Sequence, residues 1–182
     1  ETTAKDLAAH FGALDPLLNL AHSVWLARDE IDLLAETGTG VVLNPQGNLK
    51  MKCGIPPIRA LQDAGVRIGL GCDNCSCSDA QNMFMAMKLF ALLQKHATAD
   101  PSVLPAAEAL AIARGQRSEV LGGAPLAPGR DADFILLRGD APELTAGNLD
   151  AALAYAALGS VVDTAVVAGK VVMRGREVAG AA

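Results

Sequence analysis

The stretch Arg67–Asp79, "RIGLGCDNCSCSD", decides the fold. An apolar run, Val66 to Cys72, ends at an acidic residue, Asp73, and cysteines crowd around it. A strand that is apolar on both faces must be covered on both faces, as in a parallel sheet flanked by helices. Two further runs of this kind precede it. "PLLNLAH" ends at His22, with a strand expected at Leu17–Ala21, and "GTGVVLNP" ends at Asn44-Pro45, with a strand at Val41–Leu43. Between them "ARDEIDLLAETG" has helical spacing and stops at Gly38. "QGNLKMKCG" reads as a loop, and "IPPIRALQDAG" as a helix with prolines in its first turn and Gly65 at its C-cap. The alternation implies right-handed parallel βα units. Three such units either form an open sheet or are consecutive parts of a (β/α)₈ barrel.

Downstream, "DAQNMFMAMKLFALLQKHA" predicts a long helix with an apolar face at Met83, Met87, Phe90 and Leu93. Ala106–Ala113 and Gln116–Leu121 also have helical patterns, and "AGNLDAALAYAALG" reads as a helix or covering loop. Then the pattern changes. Phe134–Leu137 reads as a strand, and "VVDTAVVAGKVVMRGREV" as a hairpin of Thr164–Val167 and Val171–Met173, turning at Ala168-Gly169-Lys170 and again at Gly175. The expected division is residues 1–123 for the βα units and 124–182 for a small β-sandwich portion.

Composition narrows the function classes. The 182 residues are 51% hydrophobic, enough for a sizeable core, with a net charge of -5 and no basic run interleaved with aromatics. That argues against nucleic-acid binding. No apolar run reaches the roughly 18 residues that span a bilayer. The cysteines, Cys53, Cys72, Cys75 and Cys77, are unevenly spaced and do not resemble a secreted disulfide frame. A cytoplasmic location is expected. The sequence begins at Glu1 rather than Met and enters a helical pattern at once, so it reads as the later part of something longer.

In parallel βα structures ligands bind beyond the carboxyl ends of the strands. His22, Asn44 and Asp73 stand at those positions. An aspartate there suits a metal ligand or a base toward metal-activated water, and a histidine on a neighbouring strand end suits orienting that water or polarising a leaving group. Both have bland alternatives: a hydrogen-bonded core histidine, and an aspartate that caps the next helix. The cysteines offer a rival, a Cys₄ zinc module, although C-x₂-C-x-C is not the paired spacing of zinc ribbons. Small buried hydrophobes are the simpler account of them. No P-loop, G-x-G-x-x-G, G-x-S-x-G or H-x-E…P-C-x-x-C motif is present.

The ordered run from Asn19 to Leu89 resembles the amidohydrolase superfamily, in the branch of atrazine chlorohydrolase, S-adenosylhomocysteine deaminase and guanine deaminase. "AHS" matches that family's strand-six histidine, "NPQGNLK" its NPxSNxK loop with Gly47 in place of serine, and "GCD" its strand-eight GTD. "APLAPGRDADFILL" and the final hairpin resemble its returning β-sandwich piece. The resemblance implies an α/β fold, a partial (β/α)₈ TIM-like barrel holding strands six to eight plus part of the sandwich. It also implies a metal-dependent hydrolase that removes ammonia, or chloride, from a heterocycle such as a purine, pyrimidine or triazine.

It implies roles for single residues. Asp73 would bind one divalent metal, zinc or else iron, and act as base. His22 would contact the reacting water, and Glu1, followed by Thr2, would shuttle protons. Trp25, Asn44 and Asn48 would line the substrate pocket, with Lys50 completing the loop motif. The family's other metal-ligating histidines have no counterpart, since His10 and His96 both lie in helical patterns. The expected partner is therefore a small heterocyclic substrate, with a homo-oligomer or a partner chain completing the barrel. A non-catalytic fragment, or half of a split enzyme, is the alternative.

Overall fold

A computed structural model describes residues 4–12, 14–116, 126–145 and 147–180. Helix α1 (Ala4–Phe11) leads into strand β1 (Asn19–Ala21), helix α2 (Arg28–Thr37), strand β2 (Gly40–Leu43), helices α3 (Pro45–Lys50) and α4 (Ile58–Asp63), and strand β3 (Ile68–Leu70). The three strands form one parallel sheet in the order β1-β2-β3. Leu20 is level with Val41, and Val41 with Ile68, so the carboxyl ends of the strands emerge on one edge.

The strands are shorter than their apolar runs, for local reasons. Asp15 Oδ1 accepts from the backbone of Leu17 at 2.7 Å and Leu18 at 2.9 Å, closing a turn that leaves Leu17 89% exposed. Strand β1 therefore starts at Asn19, not Leu17. At the other end, β3 stops at Leu70, with the Gly71 N–H still bonded to the Leu43 carbonyl at 2.9 Å, and Asp73 then adopts a left-handed backbone with φ +62.

The loop expected after Asn44 is instead helix α3. Pro45 opens it, where its fixed φ suits the first helical turn and its missing N–H costs nothing. The prolines of the next helix precede its first turn, Pro57 being the N-cap of α4, and Gly65 follows the C-cap Ala64 with φ +77. Helix α2 ends as expected at Gly38, with φ +69. Glu30 reaches back to accept from the Ala27 N–H at 2.9 Å, and its other oxygen accepts from the Ala4 N–H at 2.9 Å, tying α1 to α2.

Helices α5 (Cys75–Ser78), α6 (Met83–Thr98) and α7 (Ala106–Ala113) complete the first layer. The buried side of α6 carries Ala86, Met87, Phe90, Ala91 and Gln94, whereas Met83 is partly exposed. Phe90, Leu34, Leu43, Ile58 and Leu61 are essentially solvent-free and belong to one continuous core. Burying side chains of this size contributes about 1.5–3 kcal/mol each.

The expected helix at Gln116–Leu121 lies almost wholly outside the described residues, as does the expected boundary near residue 123. Beyond it, strands β4 (Phe134–Leu137), β5 (Val162–Val167), β6 (Lys170–Arg174) and β7 (Glu177–Val178) form an antiparallel sheet in sequence order. Its hairpin turns put Ala168 and Gly169, then Gly175 and Arg176, at positive φ, the geometry that matches strand twist. Lys170 falls in β6 rather than in the turn. Between β4 and β5, the helix α8 (Leu149–Ala151) continues into a π-helical turn, Ala152–Ala156. Ala154 of that turn is buried in the larger core beside α6 and α7. The fold is mixed α/β, and among the described residues no helix is long and apolar enough to cross a membrane.

Candidate functional site

Each strand of the parallel sheet delivers one polar residue to the same edge. His22 follows β1, and its N–H bonds to the Val42 carbonyl at 2.9 Å. Asn44 follows β2 and caps α3, and Asp73 follows β3. The structure brings His22 and Asp73 together, with Nε2 3.6 Å from Oδ2. The pair remains open to solvent, the side chains being 39% and 18% exposed.

Asp73 is held from both backbone sides. Its N–H donates to Asn44 Oδ1 at 3.2 Å, and its carbonyl accepts from Gln81 Nε2 at 2.7 Å. Its Oδ1 accepts the Asn74 N–H at 2.7 Å, which leaves Oδ2 facing His22. The capping task falls to Asn74, whose side chain accepts from the Cys77 N–H at 3.0 Å. Asp73 is thus released from the bland role that the sequence left open.

Two glycines make this geometry possible. A Cβ on Gly47 would sit 2.6 Å from Asp73 Oδ2, so the carboxylate occupies space that any other residue would fill. A Cβ on Gly71 would sit 2.5 Å from Asn44 Oδ1. Lys50 at the end of α3 pairs with Asp79 and reaches the Ser76 carbonyl at 3.4 Å, strapping the loop that carries Asp73.

His22 is held equally firmly. Its Nδ1 lies 2.7 Å from Asn48 Oδ1, and Asn48 is only 1% exposed. His22, Ser23 and Asp73 all have positive φ. Non-glycine residues in this region cost of order 1–3 kcal/mol and cluster at functional sites. Trp25 is 77% exposed, three residues beyond His22. Its ring lies against Gly54, where a Cβ would approach Cζ2 to 3.2 Å. Glu1 lies outside the described residues.

The cysteines behave differently from one another. Cys72 is buried, and its Sγ lies 3.3 Å from Met83 Sδ, turned into the protein. Burial pushes its thiol above the usual range, so it stays protonated. Cys75 is exposed on the short helix α5, which corrects the expectation that these residues are all buried. No group of three or more His, Cys, Asp or Glu side chains converges among the described residues, so the cysteines form no Cys₄ centre. His10 and His96 belong to helices α1 and α6 and do not directly follow a strand.

An open carboxylate beside an imidazole at strand ends, in an α/β frame with a following antiparallel sheet, is the arrangement that comparison with known proteins resolves. Residues 1–172 match the amidohydrolase family. The chain belongs to that family. It is 44% identical over 163 residues to a 5-methylthioadenosine/S-adenosylhomocysteine deaminase of Desulforudis audaxviator, covering 87% of this chain and 38% of that protein. It superposes on a zinc-bound adenosine deaminase of Xanthomonas campestris with a TM-score of 0.87, at 29% identity, covering 100% of this chain and 46% of the other. An atrazine chlorohydrolase of Arthrobacter aurescens complexed with zinc gives a TM-score of 0.82 at 27% identity, covering 98% and 43%. The chain spans about two fifths of the length of the curated relatives it matches.

Within this amidohydrolase chain, the sequence pointed correctly to the strand-end positions. It gave no sign of Gln81, which has no pattern of its own in "DAQN". Gly47 did leave a signal, as the one departure from the loop motif, but its meaning emerges only from the distance to Asp73.

Proposed function

We propose that this chain is part of a metal-dependent hydrolase that replaces the exocyclic amino group of a heterocycle with oxygen, releasing ammonia. The observation that carries the reading is the His22–Asp73 pair, 3.6 Å apart at the strand ends and held there by strained, clamped backbone. The names of the relatives favour an aminated purine nucleoside as substrate. The frame we propose is the strand-six to strand-eight part of a (β/α)₈ barrel, followed by a β-sandwich portion from about residue 124.

The donors fit part of a metal centre. Asp73 Oδ2 lies in a cradle opened by Gly47, and Ser23 Oγ and Gln46 Oε1, next in sequence to His22 and Gly47, are buried without partners among the described residues. A catalytic zinc takes three protein ligands, so Asp73 would supply one and residues outside the described set the others. A divalent metal, zinc or else iron, would supply the Lewis acidity that lets water attack near neutral pH.

The remaining steps belong to this chain's side chains. Asp73 Oδ2 accepts a proton from the attacking water, and His22 Nε2 orients that water from the other side. A C–O bond forms at the ring carbon and the C–N bond breaks, and the departing amine takes up a proton and leaves as ammonia. Glu1 is our candidate for carrying that proton. Trp25 offers the heterocycle a flat apolar face. Asn44 and Asn48 act on the substrate at one remove, through the residues they hold.

A second reading has its own support. Among the described residues β1 and β3 are open edges of the parallel sheet and only two donors converge, so the chain would stay inert until completed by other residues, in a homo-oligomer or with a partner. Native mass spectrometry with metal retained, combined with ammonia release from adenosine-type nucleosides and aminated triazines, separates the two. A metal-bearing particle that releases ammonia supports the hydrolase. A metal-free particle of this chain alone, inert on every substrate, sinks catalysis by this polypeptide.

A further inference from the structure

We propose that Asn48 is a positioning residue that fixes the tautomer of His22, holding the proton on Nδ1 and leaving the Nε2 lone pair facing Asp73. This rests on the functional reading above for its purpose, but not for its geometry. The Nδ1–Oδ1 separation of 2.7 Å is a short, fully formed hydrogen bond. An amide oxygen carries no proton, so the imidazole nitrogen is the donor. Asn48 is 1% exposed, so losing the bond would leave a buried acceptor unpaired. At the other end of the ring, Nε2 is 3.6 Å from Asp73 Oδ2, too far for a direct hydrogen bond. At that end the Asp73 carboxylate attracts a proton from beyond hydrogen-bonding distance, whereas Asn48 Oδ1 lies within it.

The consequence is chemical. Nε2 and Oδ2 are then two acceptors facing each other across 3.6 Å. A hydrogen-bond donor placed between or beside them satisfies such a pair, and water, with two hydrogens, fits both while Asp73 remains able to hold a metal. Asn48 thereby sets what the site asks for, a proton-bearing nucleophile rather than a proton-accepting group. Asn48 sits on α3, whose neighbour Gly47 cradles Asp73, so one helix turn sets both acceptors.

The test needs only one assigned histidine, His22, beside His10, His96 and any others that the full-length protein carries. The full-length protein is labelled with ¹⁵N-histidine, and its ring nitrogens are read by long-range ¹H–¹⁵N correlation at about pH 8, where an ordinary imidazole is neutral. His22→Asn assigns the signals. The expected result is a protonated Nδ1 and an unprotonated Nε2 for His22. Asn48→Asp, which keeps the acceptor, preserves the proton on Nδ1. Asn48→Leu, similar in size without the acceptor, moves the proton to Nε2 in most molecules, with far-UV circular dichroism confirming the fold. A native His22 protonated at Nε2, alone or together with Nδ1, overturns the proposal, as does an Asn48→Leu spectrum that keeps the native pattern. If Asn48→Leu does not fold, the native and Asn48→Asp spectra decide. The readout needs no turnover, so absence of ammonia release would sink the hydrolase reading and leave this one standing.

Discussion

Replacing Gly47 with alanine tests whether the site depends on the space that this glycine leaves. The new Cβ would lie 2.6 Å from Asp73 Oδ2 and 3.4 Å from its Cβ and Cγ. A tolerable C···O approach is about 3.3 Å, so the carboxylate must retreat by roughly 0.7 Å. The backbone raises no objection, since Gly47 lies inside α3 and, unlike Gly38 or Gly65, is not at positive φ. Alanine should even favour the helix by about 0.5–1 kcal/mol. Turning Asp73 off its rotamer costs about 0.5–1.5 kcal/mol. The two nearly cancel, so the melting temperature should move little. Function should not be spared. A misplacement near 1 Å costs about 100-fold in rate, so a shift of this size predicts a 10- to 100-fold loss of kcat/KM. The assays are ammonia release by the assembled enzyme and thermal unfolding of the same preparations. A variant with unchanged kcat/KM would refute the reasoning, because Asp73 would then tolerate displacement. A variant that lost many degrees of stability would refute it from the other side.

The other expectations divide by site. Gly71→Ala places a Cβ 2.5 Å from Asn44 Oδ1 and 3.2 Å from Val42 Cγ1, both packed against the sheet, so it should lower stability by about 1–3 kcal/mol in urea titrations. Trp25→Ala removes an exposed ring and should leave stability within about 0.5 kcal/mol while raising KM for the heterocycle. Alkylation with iodoacetamide at about pH 8 should label exposed Cys75 well before Cys72. The buried Cys72 thiol has its pKa raised by desolvation, so it remains uncharged and unreactive until the pH is taken higher or the chain unfolds, which peptide mapping will show.

Much of this architecture was legible because it follows from periodicity. Fully apolar runs separated by helical spacing gave the parallel sheet, and paired turn residues gave the hairpins, with Phe134–Leu137 and Ala106–Ala113 located to the residue. The failures come from local backbone chemistry that hydrophobicity does not report. Asp15 captured the amides of Leu17 and Leu18 and delayed β1. Pro45, with its fixed φ at the first helical position, turned an expected loop into α3. The site was legible as positions, not as relations. His22 and Asp73 could be placed on strand ends from their runs alone. That Asn48 faces His22 across 26 residues, or that Gln81 grips the Asp73 carbonyl, depends on register and side-chain direction, which only the folded chain supplies.

The strain at the strand ends follows from the same geometry. A parallel strand that simply continued would carry Asp73 outward in extended conformation, alternating with Cys72 across the sheet. A left-handed turn at Asp73 swings its carboxylate sideways over Gly47 and toward His22, whose own positive φ turns the ring to meet it. Each turn costs of order 1–3 kcal/mol, and the neighbouring residues offset that cost. Asn44 accepts the Asp73 N–H, Gln81 donates to its carbonyl, and Asn48 holds His22. Hydrogen bonds contribute about 0.5–1.5 kcal/mol each, which offsets part of that strain. None of these bonds would be needed if the site had only to fold, because an unstrained loop would serve. The clamps keep the two side chains 3.6 Å apart on strained backbone, the preorganisation that the hydrolysis we propose requires.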